Sequence, residues 1–168
     1  MRSYEYHHRV CFEETSVAGN VYYAHYVRWQ GRCREMFLHD HAPELALDLG
    51  RGITLATTRV VCSYYQELHA FDEVLIRMSA SAMTPSRLTM LFQYLRLSPR
   101  EEELVAEGEQ QVACVMRSGP RLEPVPLPQI LRNAVERYIT PLADRSPNDQ
   151  DVSRHDAGYG TVHNISGH

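Results

Sequence analysis

Apolar side chains Tyr23, Tyr26, Val27, Phe37 and Leu38 recur through residues 21–39 on more than one side of the helix that their spacing predicts, so this helix is expected to lie in a core. Ahead of it, residues 4–12 alternate weakly between polar and apolar and predict a strand. Thr15, Ser16 and Asn20 offer possible caps for the helix start, and Ala42-Pro43 closes it, because proline cannot continue a helix. A short helical piece over residues 43–50 leads through Arg51-Gly52 into a stretch rich in β-branched and aromatic residues. Four strands are expected there, over 53–66, 73–83, 87–97 and 102–116. They are separated by Ala70-Phe71-Asp72, Thr84-Pro85-Ser86 and Ser98-Pro99-Arg100, two of which are short enough for hairpins. The proline-rich segment 120–128 ends the sheet, and residues 127–139 form a second helix or pack against a partner. One strand, one long helix and four long strands predict an α+β fold in which an antiparallel five-stranded sheet wraps around a central helix.

The chain has 168 residues, enough for one domain with a real core. Residues 1–142 are expected to form that domain. Residues 143–168 carry too few apolar side chains to order themselves and are expected to be a disordered tail. A net charge of −4 without a concentrated basic face argues against a nucleic-acid partner. No apolar run spans a bilayer and no signal peptide opens the chain, so a cytoplasmic protein without membrane contact is expected. Cys11, Cys33, Cys62 and Cys114 are far apart and read as reduced thiols among apolar residues. His39-Asp40-His41 falls at a helix C-terminus, where histidine is favourable for dipole reasons, and is not read as a metal site. No cofactor is expected.

The chemistry concentrates in residues 12–34. Loop amides that open a helix can receive an oxyanion, because the first-turn N–H groups have no partner inside the helix, and here they fall near Tyr22 and Tyr23. Tyr26, Gln30 and Arg34 are four residues apart and share one side of the helix. A polar stripe on a buried helix needs partners. Either Arg34 pairs with a carboxylate, such as Glu13 or Glu14 or Glu35 of another subunit, or the three residues line an acyl slot in which Arg34 holds a carbonyl, a carboxylate or a water. Glu13 and Glu14 are the only carboxylates of the loop and either could act as a base. Ser16 lacks a His or Asp at a recognisable spacing, so a hydrogen-bonding role is expected for it. Asn20 can cap the helix or orient a water, and His25 is a satisfied helix residue.

The run Phe12-Glu13-Glu14-Thr15-Ser16-Val17-Ala18-Gly19-Asn20-Val21-Tyr22-Tyr23-Ala24-His25-Tyr26-Val27-Arg28-Trp29 resembles the signature of hotdog-fold acyl thioesterases of the 4-hydroxybenzoyl-CoA thioesterase type. In that family an acidic loop D-x-D-x-x-G precedes x-V-x-x-x-x-Y-x-x-W. Glu14 aligns with the first acidic position, which the resemblance makes more structural than catalytic. Ser16 aligns with the second, the family's nucleophile or general base. With a neutral residue there, followed by Gly19-Asn20-Val21-Tyr22 and by Trp29-Gln30-Gly31-Arg32-Cys33-Arg34-Glu35-Met36-Phe37, the chain is most similar to the thioesterases that accompany enediyne polyketide synthases. The resemblance implies activity carried by Arg34, Ser16, Asn20 and Glu14, with Tyr22, Tyr23, Tyr26, Val27 and Gln30 binding the substrate.

The implied reaction is hydrolysis of a thioester between a β-keto polyene chain and the phosphopantetheine arm of an acyl carrier protein, in a homo-oligomer, dimer or tetramer. Decarboxylation of the β-keto acid would follow. A long polyene needs a narrow apolar tunnel, lined by Tyr23, Tyr26, Val27 and the strand over 53–65. The alternatives are a general acyl-CoA thioesterase using Glu14 and a non-catalytic acyl-binding protein. No G-x-S-x-G elbow, phosphate loop or dinucleotide fingerprint is present. Hotdog dehydratases need a histidine paired with an acid, and no histidine is expected to supply it.

Overall fold

The computed structural model describes residues 2–45 and 52–140. Strand β1 (Tyr4–Arg9) leads through a 3-10 turn (Phe12–Glu14) and a short loop to helix α1 (Ala24–His41). Strands β2 (Ile53–Tyr64), β3 (Glu73–Met83), β4 (Arg87–Leu97) and β5 (Glu102–Ser118) follow, then a short β6 (Arg121–Pro124) and helix α2 (Gln129–Glu136). Pairing is antiparallel throughout, in the order β1-β3-β4-β5-β2, with β6 added to β5.

The five expected strands and the central helix are present, and β3 and β4 have the expected bounds. The differences have local causes. β1 stops at Arg9 because residues 12–14 coil into the 3-10 turn. The proline-rich segment does not simply end the sheet: Gly119, at φ 60, turns the chain so that residues 121–124 pair back on β5. The loop residues Thr15, Ser16 and Asn20 do not cap α1, whose N-cap is Tyr23 with no side-chain cap bond. The short helical piece expected over 43–50 lies mostly outside the described residues, as does the expected tail.

The central helix buries Tyr26, Trp29, Gln30, Cys33 and Phe37, a three-and-four spacing that turns one broad face to the sheet. Tyr23, expected in the core, is 59% exposed. The helix packs on Ile76, Met90, Phe92, Tyr94, Val105 and Val112. Burial of each large apolar side chain here is worth roughly 1.5–3 kcal/mol. Helix α2 closes the far end: Leu131 and Val135, one turn apart, are buried, and Tyr138 stacks edge-on against Phe37 and bonds to His41. Cys33 and Cys114 are buried thiols, whereas Cys11, expected among apolar residues, is exposed.

Gly108 sits in mid-strand on β5, opposite Cys62 and Phe92, where a glycine weakens a strand. Its reason is steric, because a Cβ there would overlap the Nε2 of the fully buried Gln30. Gly108→Ala is therefore expected to destabilise the protein by about 2 kcal/mol through overpacking, measured as a lower midpoint in chemical denaturation.

Candidate active site

The segment between β1 and α1 is pinned before it reaches the helix. Val10 exchanges both of its backbone bonds with the turn at Phe71 and Asp72, and Phe71, at φ 74, is the one described non-glycine residue in the left-handed region. Glu14 N–H donates to the Cys11 carbonyl at 3.0 Å, and the Glu14 carboxylate folds back to accept the Cys11 N–H at 2.7 Å. The same carboxylate accepts Trp29 Nε1–H at 2.8 Å and faces His8 Nε2 at 2.9 Å. His25 Nδ1 stands 3.9 Å away. Burial works against ionisation, yet the Cys11 amide, the Trp29 indole and His8 together hold the Glu14 carboxyl below the usual glutamate value. The group is a buried carboxylate with its oxygens occupied.

Beyond it, Ser16 and Asn20 close a small loop on each other. Ser16 N–H donates to the Asn20 carbonyl at 2.7 Å, and Ser16 Oγ–H donates to Asn20 Oδ1 at 2.7 Å while accepting the Ala18 N–H at 3.1 Å. Gly19, at φ 86, provides the left-handed residue such a turn requires. Asn20 Nδ2 donates to Glu67 at 3.1 Å. Tyr22 N–H, one of the two amides nominated for an oxyanion, is spent on the Glu14 carbonyl at 3.0 Å. Tyr23 N–H, beside it, has no backbone acceptor among the described residues. Ser16→Ala removes both hydrogen bonds of the Oγ, to Asn20 Oδ1 and from the Ala18 N–H, but exposes no buried charge, so kcat is expected to fall by about tenfold or less, in keeping with roughly 1 kcal/mol per neutral hydrogen bond, in a steady-state assay.

The helix face is more tightly built. Tyr26 is 3% exposed, packed edge-on against Tyr64 and Tyr94, and burial pushes its phenol up to about 12. Tyr64 O–H reaches the Tyr23 carbonyl, so half-exposed Tyr22, Tyr23 and Tyr64 form an aromatic rim around the helix start. Val27 is half-buried beside them. Gln30 donates from Nε2 to the Val61 carbonyl at 3.2 Å, and its buried Oε1 has no partner among the described residues. Arg34 donates to Gln110 Oε1 at 2.9 Å and Thr57 Oγ1 at 3.3 Å. It makes no ion pair with any described carboxylate, which removes the carboxylate-pairing alternative for this chain alone. Glu13 and Glu14 stay with the loop.

These contacts divide the nominated residues in two. Glu14, Ser16, Asn20, Tyr22 and Tyr23 gather at the helix start, and Tyr26, Gln30 and Arg34 run inward along it. Ten residues separate Ala24 from Arg34, about 15 Å of helix at 1.5 Å per residue. His8 escaped the sequence reading although it lies in phase with Tyr4 and Tyr6, the inward positions of β1. Its Nε2 stands 2.9 Å from the Glu14 carboxylate, within the segment that leads from β1 into the loop. Gln110 was missed too, a polar residue at an inward position of a strand otherwise lined by Val112 and Cys114.

A profile of the thioesterase-like superfamily matches residues 10–135. The chain belongs to that superfamily, and its fold is the hotdog fold. It is a thioester hydrolase. The chain is 31% identical over 119 residues to the acyl-CoA thioester hydrolase YbgC of Escherichia coli O6:H1, covering 69% of this chain and 86% of that protein. Among solved structures it is similar to a dynemicin thioesterase, at 46% identity and TM-score 0.80, over 83% of this chain and 99% of the other. Crystal structures of that protein reveal induced-fit and allosteric effects upon polyene binding. The fold is also shared with 4-hydroxybenzoyl-CoA thioesterase from Pseudomonas sp. strain CBS-3, at 20% identity and TM-score 0.71, over 80% and 99% of the two chains. No described helix of this thioesterase is long and apolar enough to cross a membrane.

Proposed function

We propose that this thioesterase releases a β-keto polyene acyl chain from the acyl carrier protein of a cytoplasmic enediyne polyketide synthase. Water adds to the thioester carbonyl, the C–S bond breaks, and the carrier thiol and a β-keto acid leave. The acid then passes its carboxyl proton to the neighbouring ketone oxygen while the C–C bond breaks, giving CO2 and an enol, which tautomerises to a methyl ketone. The occupied carboxylate of Glu14 carries this reading. With its oxygens taken by Cys11, Trp29 and His8, the loop offers Ser16 in the place of a base, and a β-keto thioester, whose carbonyl is activated by the adjacent ketone, asks least of a base. The 46% identity to a polyene-binding dynemicin thioesterase supports the same substrate class.

In this scheme Tyr23 N–H and Ala24 N–H stabilise the tetrahedral oxyanion, Ser16 and Asn20 order the water, and Arg34 faces the acyl group. The chain acts as a homo-oligomer. β2 is an edge strand with a free backbone edge, and Ala24, Val27, Gly31, Arg34 and Leu38 form a half-buried stripe at three-and-four spacing along α1. Antiparallel pairing of two β2 edges sets the two helices side by side in opposite directions. In such a dimer Arg34 of one protomer would face the helix start of its partner and so bridge the gap of about 15 Å.

The 31% identity to an acyl-CoA thioester hydrolase supports a second reading, general acyl-CoA cleavage with Glu14 as base. Assaying β-keto polyenoyl and acetyl groups on both carrier protein and CoA separates the two. The polyketide reading expects carrier-bound long chains to react fastest and to yield the methyl ketone. Equal rates on acetyl-CoA and polyenoyl carrier protein would favour the second.

A further inference from the structure

Among the described residues, the arginines in ion pairs face carboxylates: Arg9 with Glu73, Arg59 with Glu109, Arg77 with Glu5 and Glu102, and Arg96 with Glu103 and Asp72. Arg34, half-buried between helix and sheet, is different. Its acceptors are a neutral amide and a hydroxyl, and the carboxylate nearest along the chain, Glu35, is exposed and makes no ion pair with it. A half-buried cation facing only neutral acceptors has lost part of its hydration without gaining a counter-charge. Glutamate at position 110, nearly the same shape as glutamine, would supply one at the 2.9 Å contact.

The surroundings hold this arrangement in register. Gln30 stands over Gly108 and Arg34 over Gln110, so two helix residues one turn apart, about 6 Å, meet two inward residues of β5 about 6.6 Å apart. Gln110 is 4% exposed and cannot swing away to solvent. The Oε1 of Gln30, on the preceding turn, is buried and has no partner among the described residues; as an acceptor it can take a donor but not a carboxylate, which leaves the guanidinium of Arg34 as the group facing an acid. Burial lowers the Arg34 pKa, while Glu35 acts in the opposite direction, and a guanidinium remains charged at neutral pH regardless.

We propose that Gln110 is a positioning residue that holds Arg34 through a neutral acceptor, reserving the guanidinium for the carboxylate of the free acyl acid produced by thioester cleavage. The inference rests on thioester hydrolysis alone and not on the polyketide substrate. A carboxylate accepts two N–H groups of the guanidinium fork, a geometry a thioester carbonyl cannot match. The acid is thereby retained after the thiol has left, and the enzyme is inhibited by its own product.

Decanoate serves as the probe, with binding followed by calorimetry and inhibition by steady-state rates, on the full chain. Wild type is expected to bind it. Gln110→Glu neutralises Arg34 in place and should weaken binding at least tenfold, with a thermal midpoint equal to or above wild type. Gln110→Met keeps the charge but loses the aim, so binding should stay within threefold while kcat falls and KM is little changed. Arg34→Gln should bind decanoate at least tenfold more weakly. Wild-type affinity in Gln110→Glu, equal loss in Gln110→Met and Gln110→Glu, or no binding to wild type would each overturn the proposal. Should Gln110→Glu fail to fold, unchanged binding in Arg34→Gln overturns it alone. Decanoate binding lost in Gln110→Glu and kept in Gln110→Met supports it even if no polyketide thioester is turned over.

Discussion

Arg34→Ala is expected to lower kcat/KM by about 10²–10³-fold, the loss that follows removal of one donor to a reacting oxygen, while the protein remains folded and keeps its oligomeric state. The side chain contributes little to the core. Its partners, Gln110 Oε1 and Thr57 Oγ1, are neutral, and their loss leaves an amide and a hydroxyl that a water can satisfy in the space vacated. Arg34→Lys should recover only part of the activity, because an ammonium is a point charge and lacks the planar fork that can face two oxygens at once. Steady-state kinetics on a carrier-bound substrate, together with size-exclusion chromatography, checks both halves. A protein that melts or dissociates, with unchanged specific activity in what survives, would show that Arg34 is a structural residue.

For Glu14 the main expected effect is on stability. Glu14→Gln places an NH2 group among the Cys11 N–H, the Trp29 indole N–H and His8, so donors meet a donor in a buried site. A loss on the order of 3 kcal/mol is expected from breaking a buried charged group's bonds, or a fall in Tm of about 10 °C at this chain length. The pH dependence has a definite sign. Because the folded-state pKa is depressed below the ordinary 4.5, the carboxylate's contribution is complete above 4.5 and is lost as pH falls through the lower, folded value. The gap in Tm between wild type and Glu14→Gln should therefore narrow in acid. Turnover per folded molecule should stay within tenfold of wild type. A well-folded variant that loses 10²-fold or more, the usual result of deleting a general base, would make Glu14 that base and restore the acyl-CoA reading.

Periodicity made the sheet and central helix legible because each β-run is bounded by a proline- or aspartate-containing turn, and Thr84-Pro85-Ser86 and Ser98-Pro99-Arg100 are indeed hairpins. The order of strands was not legible in the same way. β2 and β3 are neighbours in sequence but lie on opposite sides of β4 and β5, and the crossing segment 65–72 has no pattern of its own. The side-chain chemistry of Thr15, Ser16 and Asn20 was recognised but assigned to the wrong backbone. Thr15 and Ser16 bond within their own loop, and Asn20 accepts from Ser16 and donates to Glu67, in competition with the helix. Arg34 could be placed on an inward face from spacing alone. That its acceptor is Gln110, 76 residues away, could not, since local pattern holds no information on which rung of a strand a helix residue meets.

The strand order also bears on how the chain reaches its fold. β3, β4 and β5 are joined by two tight turns, so their pairings close loops of a few residues and cost little chain entropy. Each outer strand must find a partner far along the chain: β1 pairs with β3 across the whole central helix, and β2 pairs with β5 across the meander between them. Distant pairings are slow and form after local ones. Gln110 and Gly108 lie in the early-forming meander, whereas Glu14, Ser16 and Thr57 belong to segments that must dock onto it. The candidate site is thus expected to be assembled only once β1, the loop after it and β2 have docked, and a refolding chain is expected to hold the three-stranded platform before that.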